Sequence, residues 1–271
     1  MAAYMSADAV RKAGGSGNAA KLAKEDPAAS DMLDTTAAVS RLVDTLEGLP
    51  TEPPSLYMDL EGVNLSRHGT ISILQIYVLS SRRTFLVDVH TLGDLCFSTR
   101  GQSGRTLKDI LEAEDIPKVF FDVRNDSDAL YSHFNIDLAG IQDLQLMELA
   151  ARTFSRRCVS GLSKCIEKDA PLSVSQILAW KQVKEKGLDI FDPQRGGGYE
   201  VFNKRPLPKN IVLYCIQDVA ILPRLWTHYN GRLTPAWKRK VLETSKQRVK
   251  LSQSPDYDSQ GRQKALAPQG W

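Results

Sequence analysis

The chain has 271 residues, 42% hydrophobic and 25% charged, which is ordinary for a globular protein and long enough for one large domain or two small ones. A net charge of +3 permits a polyanionic partner without demanding one. There is no membrane-length apolar run and no secretory h-region. The four cysteines (Cys96, Cys158, Cys165, Cys215) form no C-x-x-C pair and no zinc spacing, so they read as reduced thiols of an intracellular protein. The cytoplasm or nucleus is expected, with a mitochondrial address left open.

Residues 1–34 are rich in Ala, Gly, Ser, Lys and Asp and read as a disordered leader. Asp34-Thr35-Thr36 caps a helix carrying Val39, Leu42, Val43 and Leu46 at helical spacing. Gly48-Leu49-Pro50 stops it. Three strands follow, Leu56 to Leu60, Thr70 to Val78 and Thr84 to Val89, joined by short connections that predict an antiparallel meander. A helix is expected over 106–114, a buried strand over 118–121, a helix over 126–134 and a fifth strand over 141–144. Helices are expected over 145–154, 160–168 and 173–185. Asp192 to Tyr199 contains three consecutive glycines (Gly196, Gly197, Gly198) and predicts a loop without regular structure. One long helix is expected from Pro208 to Tyr229 and a basic one from Pro235 to Leu251. Residues 252–271 read as a disordered tail. The layout is a mixed-sheet α/β domain over 35–251.

Three stretches carry chemistry. In Ser55-Leu56-Tyr57-Met58-Asp59-Leu60-Glu61-Gly62 two carboxylates stand two apart on a strand and share a face. Either they are solvated, or they hold a hard cation such as Mg²⁺ or Mn²⁺. At the junction Phe121 to Leu130, acids cluster where a strand runs into a helix. Asp126 suits an N-cap there, while Asp128 points elsewhere and needs another reason. In Tyr214-Cys215-Ile216-Gln217-Asp218, Tyr214 and Asp218 lie on one helix face among apolar neighbours, where an ionised Asp needs a cation or a donor. Arg224 is the plain structural candidate.

Together, Asp59-x-Glu61, Asp128 and Tyr214-x-x-x-Asp218 resemble the three motifs of the DEDD 3′→5′ exonucleases, in order and spacing. The tyrosine marks the DEDDy branch; the DEDDh branch would have His where Leu213 stands. Gly69 to Ile76, Asn125 to Leu130 and Arg205-Pro206-Leu207 resemble the RNase D-like subgroup, over about residues 40–230. The chain departs from that subgroup at Phe121-Asp122-Val123, where a histidine is common. That makes Asp122 either an extra acid near the metals or a surface replacement. No HRDC-type helical domain is recognised after the nuclease, which predicts a stand-alone exonuclease domain.

The resemblance implies an RNase H-like fold, a mixed five-stranded sheet flanked by helices. It implies that Asp59, Glu61, Asp128 and Asp218 hold two divalent ions, Mg²⁺ or Mn²⁺. One would activate a water and the other would stabilise the leaving 3′ oxygen. Tyr214 would orient the water, and the product would be a nucleoside 5′-monophosphate. The implied partner is single-stranded nucleic acid, RNA ahead of DNA. Arg67, His68, Arg124, Arg195, Lys204, Arg205 and the helix residues Lys238, Arg239 and Lys240 are the candidate nucleic-acid contacts. Tyr199, Phe202 and Trp180 are candidate base-stacking residues. The competing readings are a catalytically silent RNA-binding scaffold and a DNA-directed exonuclease.

Overall fold

The computed structural model describes residues 30–271. Six strands form one sheet: β1 (Ser30–Leu33), β2 (Leu56–Glu61), β3 (Ile73–Val78), β4 (Arg83–Asp88), β5 (Lys118–Phe120) and β6 (Ile141–Asp143), in the order β1-β4-β3-β2-β5-β6. The β2-β3-β4 meander is antiparallel, and β5 and β6 continue from β2 in parallel. Eleven helices are described. Those between β1 and β6 are α1 (Thr36–Leu46), α2 (Val89–Leu92), α3 (Leu95–Ser98), α4 (Leu107–Glu112) and α5 (Arg124–Phe134). After β6 come α6 (Leu144–Ala151), α7 (Leu162–Asp169), α8 (Val174–Phe191), α9 (Lys209–Ala220), α10 (Leu222–Asn230) and α11 (Pro235–Ser252). This mixed, helix-flanked sheet is an RNase H-like architecture.

Strand periodicity divides the core in two. Leu56, Met58 and Leu60 of β2 face α1, α4 and α5, packing with Leu42, Val43, Ile110 and Leu130. Tyr57 faces the other way, into a cluster with Leu146, Leu225 and Trp226. Ile73 of β3 lies on that second face too, packed with Ile211, Tyr214 and Cys215 of α9. Asp59 and Glu61, in phase with Tyr57, are therefore presented toward α9.

Several expectations need correction. The leader was expected to run through residue 34, yet residues 30–33 form an edge strand parallel to β4, giving six strands rather than five. Met32 and Leu33 supply its apolar contacts; the rest of the expected leader lies outside the described residues. The single helix over 208–229 is two, α9 and α10, broken at Ile221 because Pro223 lacks the N–H the ladder requires. The glycine loop holds two 3₁₀ turns, Pro193–Arg195 and Tyr199–Asn203. It is tied back to α8 by Gly198 N–H to the Ile190 carbonyl at 3.1 Å.

The tail expected to be disordered, 252–271, is bound to the domain. The Arg67 guanidinium donates to the Ser252 and Ser254 carbonyls at 2.7 and 2.9 Å. Tyr257 Oη and Lys264 Nζ both donate to Asn125 Oδ1, at 2.8 and 2.6 Å. Trp271 packs on Trp237 with ring centroids 5.3 Å apart. A polar composition hid this docking, because half of these bonds go to backbone carbonyls and all of them join partners far apart in the chain.

Candidate active site

Asp59, Glu61 and Asp218 meet although they come from β2 and α9. Each offers one carboxylate oxygen, and the three oxygens lie within 4.8 Å of one another. The sheet supplies two of them by alternation, and α9 lays the third across the same face. Two close approaches fix the arrangement. A Cβ at Gly62 would stand 2.0 Å from the Thr70 carbonyl oxygen, so only glycine lets the chain leave β2 there. A Cβ at Gly187 would stand 2.6 Å from the Tyr214 ring, so this glycine lets α8 pack against α9 at the tyrosine.

Bringing these acids together is costly. Burial, then the Asp218 charge, raises the Asp59 carboxyl to about 7. Burial followed by Asp59 and Asp218 pushes Glu61 well above the ordinary range. The offsetting charge is Lys184 of α8. Its ammonium donates to Asp218 Oδ2 at 2.7 Å and to Tyr214 Oη at 2.9 Å. Burial alone would lower Lys184, but the charges of Asp218, Glu61 and Asp59 overcome this and hold it above its usual value. Asp218 Oδ1 is buried and has no hydrogen-bond partner. Gln75, directly opposite Asp59 on β3, is likewise buried with both amide atoms unpartnered. An oxygen-only donor set with an orphaned carboxylate oxygen fits a hard divalent cation.

Asp128 does not join this cluster. Its carboxylate is wholly buried and taken by Arg67, through the side-chain Nε at 2.6 Å and the backbone N–H at 2.8 Å. Asp126, the expected cap, is no cap either: the helix starts after Val123, and Asp126 lies in its first turn, buried. Burial, then the charge of Asp59, pushes the Asp126 carboxyl well above its ordinary value, and Glu61 feels Asp126 in turn. The two aspartates sit about 200° apart around the helix, so only one can face the acids of β2. Asp122 adopts a left-handed backbone (φ 62°) and pairs with Arg124 at 2.5 Å. It is neither an extra acid of the cluster nor a free surface group. Its turn is held by Asp143, which accepts from the Asp122 and Val123 N–H groups and pairs with Arg248 at 2.7 Å.

Most of the expected nucleic-acid contacts are engaged elsewhere. Arg67 is held by Asp128 and the tail, and Arg124 by Asp122. Arg195 pairs with Glu185 and Asp189. Arg205 embraces Asp88 and also donates to the Phe202 and Lys204 carbonyls at 2.8 Å. Lys240 donates to the Gly270 carbonyl at 2.6 Å and lies over Trp237. Lys204, Arg239 and His68 are exposed. Lys238 lines a cavity of about 330 Å³ with Val241 and Leu242. Phe202 and Trp180 are buried, and Tyr199 stacks on Phe191. Lys184 escaped the sequence reading because it lies 30 residues before Tyr214, on another helix, in no local pattern with the acids.

A 3′-5′ exonuclease family model matches residues 31–233. The chain belongs to the 3′-5′ exonuclease family. Within it, the Tyr214-x-x-x-Asp218 pattern is that of the DEDDy branch, and the fold is that of RNase D-like structures. Trypanosoma brucei RNase D in complex with RNA U12 superposes with a TM-score of 0.69 at 21% identity, over 89% of this chain and 77% of that one. The same enzyme in complex with GMP gives 0.68 at 22%, over 88% and 68%. Brucella melitensis NrnC with bound Mg²⁺ gives 0.56 at 16%, over 86% and 98%. No curated protein sequence matches the chain.

Proposed function

We propose that this protein is a metal-dependent 3′→5′ exonuclease that shortens single-stranded nucleic acid, RNA ahead of DNA, and releases nucleoside 5′-monophosphates. The observation that carries the reading is the convergence of Asp59, Glu61 and Asp218 from two elements, with one Asp218 oxygen unpartnered. Family membership gives this cluster its reaction class. The RNA and GMP complexes of T. brucei RNase D support the choice of substrate and product.

Asp59, Glu61 and Asp218 would hold one divalent ion, Mg²⁺ or Mn²⁺. Asp59 with Asp126, in place of the expected Asp128, would hold a second. Bound there, such ions supply a nucleophile at neutral pH and offset charge on the leaving 3′ oxygen. Tyr214 stays protonated, because burial and then the charge of Asp218 push it well above its ordinary value. Its oxygen already accepts from Lys184, so its own proton is free to be donated to an attacking water. That makes Tyr214 an orienting donor and not a base. Alanine at Asp59 or at Asp218 is expected to abolish hydrolysis while the far-UV circular dichroism stays native. Wild-type turnover in either variant refutes the assignment.

A further inference from the structure

Lys184 lies outside all three acidic motifs, yet it is the one cation paired with the cluster among the described residues. Its side chain is 17% exposed, and Asp218 beside it is 3% exposed. The ammonium sits 4.3 Å from the centroid of the Tyr214 ring, in addition to its bond to the hydroxyl. Asp218 is therefore divided: Oδ2 is held by Lys184, and Oδ1 is buried without a partner. A group that only neutralised the carboxylate would not also need to hold the tyrosine oxygen.

We propose that Lys184 is a resident cation of this site, a positioning residue that fixes Asp218 so that Oδ1 is left for a metal ion and fixes Tyr214 with its hydroxyl proton unclaimed. The proposal rests on the exonuclease reading above. It has a consequence that a purely structural lysine would not have. A positive charge held against a metal ligand repels an incoming cation, so the site gives up metal affinity in exchange for order. Removing the charge should tighten metal binding even as it loosens the metal-free protein. A lysine that merely braces α8 against α9 would, when removed, weaken metal binding or leave it unchanged.

The test is calorimetric titration of Mg²⁺ into the metal-free full-length protein at pH 8.5, where competition from protons is weak. Wild type, Lys184→Met and Lys184→Arg are compared, with thermal melts of each metal-free protein. Lys184→Met is expected to bind Mg²⁺ roughly tenfold tighter than wild type, about 1.4 kcal/mol, and to melt lower without metal. Lys184→Arg keeps the charge and is expected to keep wild-type affinity. Should the methionine variant fail to fold, Lys184→Gln, which can still donate to Asp218 without a charge, carries the same expectation. Equal or weaker Mg²⁺ affinity in a folded, uncharged variant overturns the role of Lys184 while leaving the exonuclease reading intact. Absence of Mg²⁺ uptake by wild type overturns the metal site itself, and the inference with it.

Discussion

Replacing Arg205 by Ala should unfold the protein more readily rather than weaken its grip on nucleic acid. The Asp88 carboxylate is 1% exposed, at the end of β4. Arg205 reaches it with Nε at 2.5 Å and with a second guanidinium nitrogen, and donates onward to the Phe202 carbonyl. Burial pushes Asp88 up, but Arg205 and Thr91 overcome it and hold the carboxyl below its ordinary value. Losing one partner of a buried pair costs roughly 3–5 kcal/mol, because the other charge stays buried. Thr91 still donates to both Asp88 oxygens, at 3.0 and 2.7 Å, so about 3 kcal/mol is expected. For a domain of this size that is a fall of roughly 6–12 °C in melting temperature. Differential scanning calorimetry of Arg205→Ala, Asp88→Asn and the double variant reads it. The double variant should lose less than the sum of the singles. A melting temperature within about 2 °C of wild type, with a lower salt slope for RNA binding, would refute the clamp and restore Arg205 as a phosphate contact.

Asp126→Asn should abolish exonuclease activity with little loss of stability. Asp128→Asn should instead lower the melting temperature by weakening the hold of Arg67 on the tail; comparing both variants by activity and melt exposes a reversed pattern. Metal-free protein should lose stability as pH rises from about 4 to about 7. In that window folded Asp59, raised to about 7, keeps a proton that the unfolded chain has released. Mg²⁺ should therefore raise the melting temperature more at pH 8 than at pH 5, and an equal gain at both contradicts the coupling. Truncation after Ser252 should destabilise the domain and speed hydrogen exchange around Asn125, since it removes Tyr257 and Lys264; unchanged exchange would mean that the tail is not docked in solution. Charge reversal at Lys238, Arg239 and Lys240 should lower the salt slope of RNA binding, and an unchanged slope would exclude that surface.

Much of this was legible in the chain because it depends on local periodicity. Alternation in β2 placed Asp59 and Glu61 on one face, and the four-residue step from Tyr214 to Asp218 placed both on one side of α9. Short connections gave the meander. What could not be read depends on distant partners. Nothing near Asp126 or Asp128 tells which of the two faces the cluster; Arg67, from the loop after β2, decides it by claiming Asp128. Lys184 meets Asp218 only because Gly187 lets two helices approach. Arg67 and Arg205 looked free for phosphate because their acidic partners, Asp128 and Asp88, lie far from them in sequence, whereas Arg124 and Arg195 pair with acids nearby in the chain that no helical or strand spacing singled out. The docked tail is bound largely through carbonyl oxygens, which every residue carries and no composition reveals.

The central claim is tested most directly by a gel time course on 5′-labelled single-stranded RNA and DNA of one sequence, with Mg²⁺, Mn²⁺ or EDTA, beside Asp59→Ala. A metal-dependent ladder shortening from the 3′ end, faster on RNA and absent in the variant, is the expected result. Failure to shorten either strand with either metal, while the protein still binds RNA, would contradict it and leave a binding protein built on an exonuclease fold.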